Sequence, residues 1–206
     1  MQAGLRVLDQ LGPQGRIRRT MQALALMDAA LSPGWDLRRF SFDATWGAGQ
    51  SMGSMRDGSG TELFALFSPH GCYIKGFDHE APLDPAARDA LHRAVPEGLR
   101  AALAEPAFSP DDVTLCGWQP AGESIWHGGG RAETAVDGFL AALHGTAEDY
   151  QAFAAEYFEV TLDLADISSV LAHVPLDGML ARRLAPGTDP AATREEAASI
   201  GYPVRP

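Results

Sequence analysis

The densest group of reactive side chains in this 206-residue sequence is the run KGFDHE, from Lys75 to Glu80. Asp78, His79 and Glu80 carry the carboxylate and imidazole groups that bind metal ions or act as general acid and base. Successive side chains of an extended chain point to opposite faces, so at most Asp78 and Glu80 can share one face. Two interpretations follow. The first is a small hydrolase or metal-dependent enzyme centred on these three residues; the second, which we favour, is a polar strand end held by structural hydrogen bonds.

The sequence lacks the short motifs that commonly carry catalysis or cofactor binding. It contains no GxxxxGKS or GxxxxGKT phosphate loop, no HExxH zinc helix and no GxSxG nucleophile turn. Its two cysteines, Cys72 and Cys116, lie in separate apolar runs, which predicts two buried free thiols rather than a zinc site. We therefore predict no metal ion and no cofactor, and a protein that binds a partner rather than an enzyme.

Three of the four tryptophans border segments that are rich in glycine. Trp46 precedes one such segment, and Trp118 and Trp126 flank another. Aromatic side chains at loop edges often anchor recognition surfaces. We predict that Trp46, Trp118 and Trp126 are binding residues; the alternative is that they cover the ends of the core.

The formal net charge of −11 bears on the choice of partner. The excess of acidic residues lies mostly after Glu105, and such a surface repels the phosphates of nucleic acids. It favours a basic protein partner, whose approach the acidic side chains would steer. The sequence has no apolar run long enough to span a membrane, and residues 1–20 lack the apolar segment of a signal peptide. We expect a cytoplasmic protein with no nucleic-acid or membrane partner.

The elements that position these residues begin with a helix over residues 16–31, where apolar side chains recur at spacings of three and four. Strands are predicted over residues 37–46, 61–68, 72–77 and 113–118. The second and third of these form a hairpin through a Ser-Pro-His-Gly turn. The glycine-rich residues 47–54 predict a loop or an irregular strand, and residues 121–131 predict a loop.

The remainder of the chain is predicted to be mainly helical, over residues 82–96, 97–104, 136–143, 147–158, 167–174, 176–184 and 189–200, with a last strand over 159–164. Strands and helices do not alternate, which favours an α+β fold over a doubly wound one. We expect an N-terminal helix, an antiparallel sheet in the N-terminal half and middle, and a mainly helical C-terminal third. The length predicts a single domain over residues 1–206, with residues 1–15 as a loose arm.

Residues 54–60 and 75–80 give the pattern SMRxGSG…KGFDHE. In this pattern, and in residues 105–109, the chain resembles a group of uncharacterised bacterial proteins. That resemblance implies a bacterial protein without an established activity or established catalytic residues. The order of helix, antiparallel sheet and further helices is also similar to that of the cytosolic immunity proteins of the SMI1/KNR4 type, which implies immunity-like binding of a protein partner.

Overall fold

A computed structural model describes residues 8, 10–131 and 133–205 of the chain. Its centre is an antiparallel sheet of six strands, in which each strand lies beside its neighbours in sequence. The strands are β1 (Phe40–Gly47), β2 (Gln50–Arg56), β3 (Glu62–Ser68), β4 (Gly71–Phe77), β5 (Leu115–Pro120) and β6 (His127–Gly130). The fold is therefore α+β with an antiparallel sheet, as predicted.

One α-helix precedes the sheet, one lies in the connection between β4 and β5, and the others form the C-terminal part of the chain. The α-helices are α1 (Gln14–Leu31), α2 (Pro85–Ala94), α3 (Val136–Ala142), α4 (Ala147–Tyr157), α5 (Leu164–Leu171), α6 (Gly178–Leu184) and α7 (Pro190–Ile200). Short 3-10 segments span Trp35–Leu37, Glu97–Ala104 and Pro106–Phe108. Among the described residues, no helix has both the length and the apolar character needed to cross a membrane.

Glycines in one row of cross-strand partners allow neighbouring segments to approach one face of the sheet closely. Gly53 of β2 and Gly117 of β5 share this row with Ala65 and Ile74. A Cβ on Gly53 would lie 2.4 Å from the terminal methyl of Met21 in α1. Glycine at position 53 thus allows α1 to pack on the sheet, where it forms the larger hydrophobic core with the C-terminal helices.

The segment between β4 and β5 covers the other face. Phe64 of β3 stacks on Phe108 with ring centroids 5.0 Å apart, and Val95 and Leu99 contribute to the same buried cluster. The sheet therefore separates two hydrophobic cores and is covered on both faces, which explains why β3 is apolar on both sides.

The central hairpin confirms the strongest prediction made from the sequence. β3 and β4 pair in antiparallel register and occupy the two middle positions of the sheet. Phe64, Leu66 and Ile74 are each at most 5% exposed, as expected for core residues. Cys72 and Cys116 are buried free thiols, also as predicted.

Both glycine-rich segments contain strands, although a loop or an irregular strand was predicted for residues 47–54 and a loop for residues 121–131. Residues 47–54 contribute most of β2, and residues 121–131 contain β6. In β6 the glycines are required by close approach to β5, because a Cβ on Gly128 would lie 2.1 Å from the carbonyl oxygen of Cys116. The φ angle of Gly128, 132°, is also one that other residues rarely adopt. Glycine in these runs indicates close contact between backbones rather than flexibility.

One further expectation is wrong. Residues 159–164 form no strand: Glu159 has a φ of 57°, and Asp163 caps α5 by accepting a 2.7 Å hydrogen bond from Ala165 N–H. The loose arm expected over residues 1–15 is packed where it is described, since Leu8 and Leu11 are buried and α1 begins at Gln14. Residues 1–7 and 9 lie outside the described part of the chain.

Candidate functional site

Asp78, His79 and Glu80 do not converge on a pocket. The Asp78 carboxylate is buried and accepts 2.9 Å hydrogen bonds from the backbone N–H groups of Glu80 and Ala135. His79 and Glu80 are exposed. Over residues 8, 10–131 and 133–205, no three His, Cys, Asp or Glu side chains are grouped to hold a metal ion. These contacts agree with the interpretation of Asp78 as part of a polar strand end held by structural hydrogen bonds. The Asp78 carboxylate joins the end of β4 to the segment before α3.

Lys75, the chain's only lysine, is sealed within the sheet. It is 1% exposed, and its Nζ lies 3.1 Å from Glu62 Oε1 on the neighbouring strand. Burial lowers the pKa of the Lys75 ammonium, and the Glu62 carboxylate opposes that shift. The Phe64 and Phe77 rings flank Nζ at 5.6 and 5.3 Å from their centroids. The side chain therefore ties two strands together and faces no ligand space.

Two of the three predicted binding tryptophans are core residues. Trp118 is 6% exposed and belongs to the core under the 95–113 segment. Trp126 is 3% exposed, and its indole N–H donates a 3.0 Å hydrogen bond to the carbonyl of Gly12. In this conformation neither indole is accessible to a partner. Their positions match the alternative stated above, in which they close the ends of the core.

Trp46 was predicted as a binding residue, but the surface on which it lies also contains residues that were not predicted, Trp35 among them. Trp46 is the penultimate residue of β1, is half-buried, and donates a 3.2 Å hydrogen bond from its indole N–H to Glu105. Trp35, in the turn after α1, is 57% exposed. Both line an open groove of about 360 Å³ along the outer edge of β1. We name this the tryptophan groove; its other lining residues include Asp43, Met52 and Glu196.

The carboxylates around the tryptophan groove differ in how they are engaged. Glu196 forms a two-pronged ion pair with Arg38, at 3.1 Å for each oxygen. Asp43 accepts hydrogen bonds from Thr45, and Glu105 from Trp46; within the described residues neither has an ion-pair partner. The groove thus combines two accessible indoles with uncompensated negative charge.

Trp35 was not predicted as a binding residue, because it directly follows the Ser-Pro-Gly turn after α1 and belongs to no helical or strand pattern of apolar residues. A large aromatic residue in a short polar turn is the one sign that could have drawn attention to it. Its role as a groove wall depends on the distant residues of β1 and α7, which no local pattern reveals.

No protein-family description, curated protein or solved structure matches this chain.

Proposed function

We propose that this chain is a non-enzymatic interaction protein that binds a basic protein partner through the tryptophan groove. The observation that carries the proposal is the placement of Trp35 and Trp46 in one groove with the carboxylate of Asp43, which forms no ion pair within the described residues. A cation against an indole face is stabilised by about 0.5–2 kcal/mol, and a nearby carboxylate adds to that attraction. The groove fits the arginine or lysine side chain of a partner.

The composition of the groove supports this proposal independently of the net charge. Tryptophan, tyrosine and arginine are over-represented among residues that dominate binding energy at interfaces. The net charge of −11 then affects association more than affinity, because surface acids steer a basic partner over distances comparable to the Debye length. An immunity-like role, with a basic toxin as the partner, is the specific form of this proposal that the SMI1/KNR4 similarity suggests.

A direct titration tests the groove. The probe is a fluorescent peptide in which arginine alternates with glycine, and the reference is the same peptide with neutral citrulline. We expect the arginine peptide alone to bind, with an affinity that falls as salt rises. Trp35→Ala or Trp46→Ala should weaken binding by about tenfold or more, the usual loss for an aromatic anchor. If the two peptides bind equally, the proposed basic partner is wrong.

Asp43→Asn provides a conservative test of the charge. Asparagine retains the oxygen that accepts from Thr45 N–H at 2.7 Å, so the turn is kept while the charge is lost. We expect weaker binding and a smaller salt dependence. Ile125→Ala is the matched control, because Ile125 is 63% exposed and does not line the groove. A control variant that loses as much affinity as Trp35→Ala would show that the contact lies elsewhere.

Trp126→Ala separates binding from folding. Because the Trp126 side chain is buried, its truncation should lower the free energy of unfolding by about 3–5 kcal/mol. The remaining folded protein should bind the arginine peptide with unchanged affinity. Loss of binding by a fully folded Trp126 variant would restore Trp126 as a binding residue and contradict the assignment to the groove.

A further inference from the structure

A second, smaller pocket shares Trp35, Arg38 and Ser41 with the tryptophan groove. It has a volume of about 120 Å³, and its lining includes Ser41 of β1 and Ser54 of β2. These two serines are direct cross-strand partners, so their side chains lie on the same face of the sheet. We name this the arginine pocket, because Arg38, Arg39 and Arg56 also line it.

The arginines of this pocket are not neutralised equally. Arg38 is paired with Glu196. Arg39 and Arg56 form no ion pair with any carboxylate of the described residues. Glu62 is the register partner of Arg56, but its carboxylate bonds to Lys75 instead. The pocket therefore carries excess positive charge on a chain whose net charge is strongly negative.

Aromatic rings hold both of these guanidinium groups in place. Arg56 lies over the rings of Trp35 and Phe64, at 5.2 and 5.3 Å from their centroids. Arg39 lies over Phe139 and Phe153, at 5.0 and 5.4 Å. Stacking satisfies the faces of a guanidinium but leaves its N–H groups at the edge free to donate. Both side chains are half-buried, so a ligand would meet donors that are already ordered and partly shielded from water.

A hydrogen bond between two elements holds the wall of the arginine pocket in place. The hydroxyl of Tyr157, at the end of α4, donates a 3.2 Å hydrogen bond to the carbonyl of Leu37 and holds the Trp35 turn against the helix. Asp36 is the one carboxylate in the pocket lining, against three guanidinium groups. The volume of about 120 Å³ is a third of the 360 Å³ of the tryptophan groove, which suits a small oxyanion better than a larger ligand.

We infer that the arginine pocket binds the phosphate group of a phosphate ester. The guanidinium groups of Arg39 and Arg56 would donate paired N–H bonds to its oxygens, as planar guanidinium groups do to phosphates. The hydroxyls of Ser41 and Ser54 would donate from the floor. This inference does not rest on the basic partner proposed for the tryptophan groove, although the linings of the two sites share Trp35, Arg38 and Ser41.

Calorimetric titration with inorganic phosphate, at neutral pH and constant ionic strength, tests the inference. We expect one phosphate per chain in the wild type. Arg39→Gln and Arg56→Gln should each weaken binding by about tenfold to a hundredfold, the loss expected for a charge-assisted hydrogen bond. Ser54→Ala should weaken it by about fivefold. Arg182→Gln removes one exposed guanidinium that does not line the pocket and should leave the affinity unchanged.

Unfolding by urea accompanies each titration, since Arg56 also contacts two aromatic rings. Ser54→Ala removes only one hydroxyl and keeps the test informative if an arginine variant is unstable. Glycerol 3-phosphate and a phosphoserine peptide are then titrated, and tighter binding of either one supports the inference and identifies the source of the phosphate. Acetate binding as tightly as phosphate, or equal phosphate binding by the wild type and Arg56→Gln, overturns it.

Discussion

The phenolic hydroxyl of Tyr150 donates a 2.8 Å hydrogen bond to Oδ1 of Asp28, joining α4 to α1 inside the larger core. The other carboxylate oxygen of Asp28 accepts from the N–H groups of Arg39 and Phe40, both at 2.9 Å. Asp28 has no exposed surface, and burial raises its pKa to about 7 even though these three hydrogen bonds lower it. One carboxyl group thus links α1, α4 and the start of β1.

We expect the stability of the wild-type chain, relative to an Asp28→Asn variant, to fall as the pH rises. The pKa of Asp28 is about 7 in the folded chain and 3.8 in the reference state. Its contribution to stability is therefore fully present below the lower value and is lost as the pH rises through the higher one. Between about pH 5 and pH 8, the difference in free energy of unfolding should change by about 2–3 kcal/mol. Urea unfolding at several pH values measures it.

Asparagine is the right replacement because its oxygen can accept from the backbone and its amide can donate to Tyr150. Burial lowers the pKa values of His92, His144 and His173, so these groups add stability as the pH rises in both proteins. Only the difference between the two proteins isolates Asp28. A difference that is constant with pH would contradict a neutral carboxyl group in the core.

The ion pair between Lys75 and Glu62 should show strong coupling. Lys75→Met leaves the Glu62 carboxylate, 24% exposed, without its partner, and we expect a loss of about 1–3 kcal/mol. Adding Glu62→Gln should recover part of that loss, because the unpaired charge is removed as well. A double-mutant cycle in urea provides the measurement. Additive losses would mean that the pair contributes nothing beyond its separate side chains.

The buried ammonium of Lys75 also predicts selective chemical reactivity. An amine-reactive acylating reagent should leave Lys75 of the folded chain unmodified, because Nζ is enclosed. In urea Lys75 should react. Mass spectrometry of peptides from the two samples distinguishes these states. Labelling of Lys75 under native conditions at the rate of a free amine would mean that the β3–β4 pair opens readily.

Two glycine substitutions should have opposite effects. Gly128→Ala places a Cβ 2.1 Å from a backbone oxygen of β5, at a positive φ, and should destabilise the chain by about 2–4 kcal/mol. Gly138→Ala lies within α3, where a Cβ meets no atom within 4 Å, and should stabilise it by about 0.5–1 kcal/mol. Thermal unfolding compares them. A neutral Gly128→Ala would show that β6 can leave the sheet without loss.

The parts of the fold that depend on local pattern were predictable from the sequence. The β3–β4 hairpin follows from two apolar runs and a turn, and the helix starts after Asp84 and Thr146 follow from capping side chains of a type common at helix N-termini. The glycines of β6 led to a wrong prediction of a loop, and those of β2 left a loop and an irregular strand equally open. Gly53 and Gly128 are required instead by atoms that tertiary packing brings close. Local pattern cannot distinguish such a glycine from one in a flexible loop.

The candidate site was harder to predict than the fold. Trp46 was identified from its position next to a glycine-rich segment, yet the same reasoning selected Trp118 and Trp126, which are buried. Exposure depends on which element covers an indole, and that information is not local. Trp35 and Arg39 were missed for the same reason, since their neighbours in space come from distant parts of the chain.

The contacts within the sheet join residues that are close in sequence, whereas the contacts of α1 with the C-terminal helices join residues that are far apart in sequence. Each strand pairs with the one made just before it on the ribosome, so the sheet can grow while synthesis continues. The packing of α1 against the C-terminal helices cannot form during synthesis in the same way. The Gln22 amide of α1 donates to the carbonyls of Ile200 and Gly201, at 2.9 and 3.0 Å. The first long helix must therefore wait for residues near position 200 to emerge. That late closure of a long loop, rather than strand pairing, should limit the rate at which the nascent chain reaches its native state.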